Sequence, residues 1–290
     1  MMTRASAPGK LILSGEHAVV YGHRAVAAAV SLETTVTLHD RPGPSAIDRS
    51  DLRDARLWPA LAPLIPPDGV GVSIASTLPV GCGLGSSAAL AVALVRALAR
   101  RDGREASFEE CYERGFVVER AFHGTPSGVD HTVSARGGVL VYRRASSTSV
   151  ASFAPVALPR PLRLVVADTG SPGDTAAMVA AVRARAPTAA LDAIGALTEQ
   201  VVRGLERGEA VGALLDENHR LLQAIGVSTE ALDRVVAAMR AAGAAGAKLA
   251  GAGGGGVAFA LVDTEHEASV ARAARACGCR VFAVDVALPR

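Results

Sequence analysis

A glycine-rich stretch at residues 79–89, Pro-Val-Gly-Cys-Gly-Leu-Gly-Ser-Ser-Ala-Ala, constrains this chain more than any other feature. It runs into an alanine- and leucine-rich segment, residues 88–100, in which leucine recurs at four-residue spacing. That spacing predicts a helix with one apolar face, and Ser86 or Ser87 is a suitable N-cap. Glycines permit positive φ angles, so the turn can present backbone N–H groups and the positive end of a helix dipole to an anion. The stretch predicts phosphate binding, and the alternative is a tight strand-to-helix turn that binds nothing.

Composition limits the classes of function. At 290 residues the chain is expected to form about two domains. A net charge of +2 and an aromatic content of 3% argue against a nucleic-acid surface, which needs a basic stripe and stacking rings. The four cysteines lack metal-ligand spacing and are predicted to be reduced thiols in a cytoplasmic protein. We expect no membrane partner, because no apolar run approaches ~18 residues and no signal peptide is recognisable.

A proline-rich stretch separates two groups of predicted elements. Residues 150–163 carry three prolines, so we expect a domain boundary there, with one domain at 1–160 and another at 161–290. Residues 41–68, rich in proline and charge, are predicted to form a loop with at most one short helix. In the second half, two helices broken near Gly208 are predicted to precede a third helix and a glycine-rich segment.

Several polar residues near the N-terminus are candidates for chemistry. Lys10 lies where a short apolar strand is predicted to begin, and Glu16 and His17 follow in a segment bracketed by Gly15 and Gly22. Taken alone, Lys10 reads as an ordinary exposed lysine, and the Glu-His pair reads as a polar turn between strands.

A second group of acidic candidates lies in the middle of the chain. A capping box at residues 107–110 opens a predicted helix that ends at Gly124 and Pro126. Glu119 falls in the last turn of that helix, eleven residues before Asp130. A carboxylate there opposes the helix dipole and needs a cation or another partner. The alternative is a surface glutamate paired with a neighbouring arginine.

The common nucleotide-binding motifs are missing. The sequence contains neither G-x-x-x-x-G-K-[ST] nor the protein-kinase H-R-D and D-F-G set. Residues 251–256 match G-x-G-x-x-G, but a predicted helix precedes them and a strand follows, which reverses the dinucleotide-binding order. This second glycine loop either helps to clamp phosphates or is a flexible hairpin.

The groups required for phosphoryl transfer are nevertheless present. The glycine turn could cradle nucleotide phosphates, and Ser87 and Glu119 could supply oxygen ligands to Mg²⁺. Asp130 could orient or deprotonate an attacking hydroxyl group. Lys10 could stabilise the charge on the transferring phosphoryl group and keep Asp130 ionised.

The order of these segments resembles a known family. Residues 8–22 resemble the opening of mevalonate kinases, and residues 79–89 resemble the second motif of the GHMP kinase superfamily, which also holds galactokinases, homoserine kinases and phosphomevalonate kinases. Residues 119–130 are similar to the segment that carries the metal-binding glutamate and catalytic aspartate. Residues 168–170 and 248–256 resemble the C-terminal substrate segment and the third motif.

The resemblance implies a two-domain α/β fold, with an N-terminal ATP-binding domain like ribosomal protein S5 domain 2 and a ferredoxin-like C-terminal domain. It implies ATP- and Mg²⁺-dependent phosphorylation of the 5-hydroxyl of mevalonate, in the pathway to isoprenoids, by an enzyme expected to form a homodimer. The implied site residues are Lys10 and Asp130 for catalysis; Ser87 and Glu119 for Mg²⁺; Pro79, Gly81, Gly83, Leu84, Gly85, Ser86, Ser87 and Ala88 for ATP; and Glu16, His17, Asp130 and Thr175 for mevalonate.

Two departures from the family pattern concern the acceptor. Gly173 stands where animal members carry an arginine, and Leu90 where they carry a tyrosine. Another Arg or Lys, or the helix start near Thr175, must then meet the substrate carboxylate. The rival functions are a related kinase for phosphomevalonate, homoserine or a sugar, and a catalytically inactive nucleotide-binding sensor. An RNA-binding relative of ribosomal protein S5 is disfavoured by the charge pattern.

Overall fold

The computed structural model describes residues 2–123, 128–144 and 151–286. The chain divides into two units, each built from separate stretches of sequence. The first unit comprises residues 1–10, 29–80 and 84–137, and the second comprises residues 11–28, 81–83 and 138–290. The mixture of helices and sheets agrees with the predicted α/β class, while the predicted domain boundary at residue 160 stays a prediction.

Ten strands and nine α-helices occur in the described residues, with short 3₁₀ helices at Ala18–Tyr21 and Ala62–Leu64. The strands are β1 (Met2–Ser14), β2 (Arg24–Pro44), β3 (Ala46–Ser50), β4 (Asp68–Ser76), β5 (Val139–Arg143), β6 (Ser152–Val156), β7 (Leu162–Asp168), β8 (Gly246–Ala250), β9 (Val257–Val262) and β10 (Arg280–Val286). The helices are α1 (Leu57–Leu61), α2 (Ser86–Arg101), α3 (Phe108–His123), α4 (Val129–Arg136), α5 (Thr175–Arg185), α6 (Thr188–Arg207), α7 (Gly212–Ala224), α8 (Glu230–Ala241) and α9 (Glu267–Ala276).

In the first unit, a small sheet packs against an apolar helix. The later part of β2 pairs antiparallel with β4, and β4 pairs parallel with β3. The periodic leucines of α2 are buried, and Leu90 lies wholly inside this core with Val36 and Ile74. Because α2 is apolar on nearly every side, only a buried position suits it. Leu90 is therefore a core residue in this protein.

The segment at 41–68 is more regular than its sequence suggests. It contains the end of β2, all of β3 and the short helix α1. The prediction of a loop with one short helix was therefore wrong about the strands. β3 lies at one end of the strand order, and its sequence, Ala-Ile-Asp-Arg-Ser, includes the charged residues that short edge strands tolerate.

The second unit contains an antiparallel four-stranded sheet in the order β10-β7-β9-β8, covered by helices. The first residues of β2 pair with β5 in this unit, and β5 pairs with β6. The predicted break between two helices is confirmed, since α6 ends at Arg207 and its C-cap is Gly208, which has a φ of 69°. β8 was not predicted: it precedes the glycine loop at 251–256, which joins it to β9 as a hairpin.

The predicted end of α3 falls on Gly124 and Pro126, which lie outside the described residues. Among the helices that the structure describes, none combines the length and the apolar character needed to cross a bilayer.

Candidate active site

The glycine-rich turn leads into α2 as the sequence predicts. Gly81, Gly83 and Gly85 have φ angles of 79°, 86° and 70°, a region that disfavours residues with a Cβ. The N-cap is Gly85, not Ser86 or Ser87, and within the described residues no side chain caps this helix start. An uncapped helix start can direct its amide N–H groups towards an anion.

Lys10 lies beside this turn in the first unit. Its backbone N–H donates to the carbonyl of Leu84 over 2.9 Å, and a Cβ on Gly85 would lie 3.0 Å from Lys10 Cγ. Lys10 is only 6% exposed, so it is not an ordinary surface lysine. The close backbone approach at Gly85 leaves the lysine stem in contact with the turn.

Lys10 forms an ion pair with Asp130. The Lys10 Nζ lies 3.2 Å from Asp130 Oδ1, and the Asp130 side chain remains 30% exposed. Asp130 is in the first turn of α4, which follows the left-handed N-cap Gly128 (φ 88°). The pair therefore combines a buried cation with a carboxylate that solvent or a ligand can reach.

Glu119 completes this cluster of charged groups. It is 2% exposed, and Ser87 hydrogen-bonds to its carboxylate. Burial, and secondly the charge of Asp130, raise the pKa of Glu119 from 4.5 to about 7, although Ser87 and Lys10 act in the opposite direction. The alternative of a surface glutamate paired with an arginine is therefore wrong for this residue.

The Glu119 and Ser87 oxygens fit a magnesium ion. Among the described residues, Glu119 Oε1 is buried and has no hydrogen-bond partner. A bound cation would satisfy that oxygen and favour the ionised carboxylate. No group of three or more His, Cys, Asp or Glu side chains suited to a metal occurs in the described parts of the chain. Mg²⁺ needs no such group, since it takes one or two carboxylates and completes its shell with water and phosphate oxygens.

In the second unit, Glu16 and His17 are both buried and both engaged. Glu16 Oε1 pairs with the Nζ of Lys248, which is 0% exposed. His17 Nε2 lies 2.9 Å from the Ala252 carbonyl oxygen, and burial lowers the pKa of His17. The two residues lie in a turn between β1 and β2, as the alternative of a polar turn between strands describes, but both side chains are buried there and hydrogen-bonded.

Thr175 is the first residue of α5, at the predicted helix start. Asp174 caps this helix, its carboxylate accepting from the Ala177 N–H over 2.9 Å. This negative charge disfavours a second carboxylate at the same helix start. At Gly173, a Cβ would lie 2.5 Å from the Gly253 carbonyl oxygen, so a larger residue does not fit this backbone.

Sequence reasoning missed the role of Lys248, which appeared there only as the start of a glycine-rich motif. A lone lysine in the five-residue strand Gly-Ala-Lys-Leu-Ala carries no periodic signal. The available signal was chemical: a lysine between apolar residues in a buried strand requires a carboxylate partner.

Comparison with known proteins places these features in a family. A model of the GHMP kinases N terminal domain matches residues 54–138, and one of the GHMP kinases C terminal region matches residues 193–280. The mevalonate kinase of Thermococcus sibiricus is 38% identical over 321 residues, covering 96% of this chain and 94% of the relative. That of Pyrococcus horikoshii is 39% identical over 300 residues, covering 89% and 88%.

Solved structures agree with these matches. A crystal structure of L. major mevalonate kinase in complex with R-mevalonate superimposes with a TM-score of 0.89 at 31% identity, covering 99% of this chain and 96% of the other. The Methanococcus jannaschii mevalonate kinase gives a TM-score of 0.84 at 26% identity, covering 99% and 98%.

Proposed function

Because this chain belongs to the mevalonate kinases of the GHMP kinase family, we propose that it transfers the γ-phosphoryl group of ATP to the 5-hydroxyl of mevalonate. The observation that carries the proposal is the cluster in the first unit. There the Lys10–Asp130 ion pair, at 3.2 Å, lies with the buried Glu119 carboxylate, whose pKa both residues influence. This set of groups suits a reaction that needs a base, a cation and a metal ligand together.

Asp130 is proposed as the group that receives or orients the proton of the attacking hydroxyl. Its side chain is 30% exposed, so an alcohol can approach it while its Oδ1 is paired with Lys10. General-base assistance of this kind requires the carboxylate to lie within hydrogen-bond reach of the hydroxyl.

Lys10 is proposed to stabilise the negative charge of the transferring phosphoryl group. It is held at two points, because its backbone N–H donates to the Leu84 carbonyl and its Nζ forms an ion pair with Asp130. A cation that is already positioned needs little reorganisation as charge develops.

In this proposal the ATP phosphates lie against the glycine turn and the start of α2, whose N-cap Gly85 has no side chain. The residues proposed to line them are Pro79, Gly81, Gly83, Leu84, Gly85, Ser86, Ser87 and Ala88. Ser87 and Glu119 would hold Mg²⁺, which when bound supplies positive charge to the phosphate oxygens. In its absence, the Glu119 pKa of about 7 leaves that carboxyl partly protonated near neutral pH.

Glu16, His17, Asp130 and Thr175 are each proposed as residues that bind mevalonate, on the family resemblance of the segments that carry them. We also propose a cytoplasmic homodimer that binds neither nucleic acid nor membrane. The cysteines are free, which fits a reducing compartment, while the homodimer rests on the family resemblance alone.

The test is an acceptor panel. Purified protein with ATP, Mg²⁺ and mevalonate should release ADP, whereas phosphomevalonate, homoserine and galactose should release little above the acceptor-free rate. If ADP forms only with another alcohol, the assignment of mevalonate as the substrate is wrong and the assignment of the reaction class stands. Tight ATP binding with no ADP from any acceptor would favour a nucleotide sensor instead.

A further inference from the structure

Lys248 occupies a costly position. It is the middle residue of β8, it is 0% exposed, and every residue of that strand is buried. Its Nζ pairs with Glu16 Oε1 and donates to the Leu249 carbonyl over 2.8 Å. Apolar residues of similar volume are often at least as stable as a buried ion pair. Stability alone therefore does not explain this pair.

The partner of Lys248 belongs to a tightly constrained turn. Gly15 has a φ of 95°, and a Cβ there would lie 2.5 Å from the Arg24 carbonyl oxygen. His17 has a φ of 60°, which is rare for a residue with a side chain and persists only where the surroundings impose it. Glu16 lies between the two, so the contact from Lys248 reaches the turn at its centre.

The same turn has a second contact with the loop that follows β8. His17 Nε2 lies 2.9 Å from the carbonyl oxygen of Ala252, four residues after Lys248. A carbonyl oxygen only accepts, so Nε2 carries the hydrogen. In the neutral ring, which burial favours by lowering the pKa of His17, Nδ1 is then a hydrogen-bond acceptor.

We infer that Lys248 is a positioning residue for the acceptor alcohol: by holding Glu16, it keeps His17 in its positive-φ conformation, with Nε2 on Ala252 and Nδ1 as an acceptor for a substrate hydroxyl. The inference rests on the proposed function, in which His17 binds the acceptor. Lys248 is expected to affect the binding of the alcohol and not the binding of the nucleotide, because the segment that it holds is residues 16–17.

Two variants test the assignment. Lys248→Met removes the cation and should raise the KM for mevalonate by roughly tenfold, the loss of about one well-placed hydrogen bond, while the KM for ATP stays within about twofold. It also leaves the Glu16 carboxylate buried without its cation, so the melting temperature should fall. The double variant Glu16→Gln/Lys248→Met removes both charges and should recover much of the melting temperature without recovering the KM for mevalonate.

Arg240→Met is the matched control. The Arg240 guanidinium donates to Asp216 Oδ1 and to the carbonyl of Ala247, each over 2.6 Å, so it holds the same strand next to Lys248 without contacting Glu16. This variant should lower the melting temperature and leave the KM for mevalonate unchanged. Equal KM increases in the Arg240 and Lys248 variants would show general loosening of β8 and overturn the inference.

The inference and the proposed function fail in different ways. If the proposed function is wrong, the wild-type protein itself produces no ADP with mevalonate. If the inference is wrong, the wild type turns over mevalonate, and either Lys248→Met or the double variant keeps the wild-type KM or Arg240→Met shows the same KM increase as Lys248→Met.

Discussion

Replacing Glu119 by Gln should stabilise the ligand-free protein at alkaline pH. The Glu119 side chain is 2% exposed, and burial and Asp130 raise its pKa from 4.5 to about 7. Because the folded-state pKa is raised, the unfolded chain releases this proton first as pH rises. The group therefore lowers the free energy of unfolding between pH 4.5 and 7. Above pH 7 the free energy of unfolding is about 3 kcal/mol lower than it is below pH 4.5, because each unit between the two pKa values corresponds to about 1.4 kcal/mol.

Glutamine has no proton to lose, so the benefit of the substitution depends on pH. We expect Glu119→Gln to raise the free energy of unfolding by about 3 kcal/mol at pH 8 but only about 1 kcal/mol at pH 5. For a chain of this size that corresponds to a melting temperature roughly 5 °C higher at pH 8 and roughly 2 °C higher at pH 5. The same variant should need more Mg²⁺ for half-maximal turnover, because a carboxylate ligand has been lost.

The assay is thermal unfolding of ligand-free protein at both pH values, followed by a Mg²⁺ titration of the rate. Glu113→Gln is the matched control, since it makes the same change on the exposed side of α3 and should alter the melting temperature little. A destabilised Glu119→Gln protein at pH 8, or an equal gain at pH 5 and pH 8, would refute the reasoning.

Two further predictions concern the glycine turn and a buried histidine. Gly85→Ala forces a side chain into a φ of 70° and 3.0 Å from Lys10 Cγ, so the KM for ATP should rise. Gly103 also has a positive φ, of 75°, but has open space around it. Gly103→Ala should therefore lower the stability by about 1–2 kcal/mol, as the positive φ alone does at Gly85, without changing the KM for ATP. Burial lowers the pKa of His219 from 6.5 to about 4, so the unfolded chain gains this proton first on acidification. In urea unfolding of the wild type, this residue should lower the free energy of unfolding by up to about 3 kcal/mol between pH 6.5 and 4. His219→Gln should reduce this dependence on pH, and a variant with the wild-type dependence would contradict the prediction.

Local signals in the sequence predicted the parts of the fold that depend on neighbouring residues. The glycine turn and α2 follow from alternating glycines and four-residue leucine spacing, and the break after α6 follows from Gly208. Motif resemblance suggested Lys10 and Asp130 as partners, and their 3.2 Å separation is a fact of the folded chain that no spacing rule supplies.

Features that depend on distant residues could not be predicted in this way. The sequence leaves Glu119 open between a metal ligand and a surface residue, and its burial follows only when α3 packs beside α2, where Ser87 meets it. The Lys248–Glu16 pair joins residues 232 positions apart, and neither residue has a local pattern that identifies the other. Burial and partnership of charges are properties of the tertiary structure, so the sequence alone leaves them open.

The most direct measurement of the central proposal is turnover and nucleotide affinity in Asp130→Asn. This variant keeps the shape of the side chain beside Lys10 and removes its charge. We expect kcat to fall by about 10²–10⁴-fold, the usual contribution of a general base, while the Kd of a non-hydrolysable ATP analogue measured by calorimetry changes little. An Asp130→Asn enzyme that phosphorylates mevalonate at the wild-type rate would contradict the account.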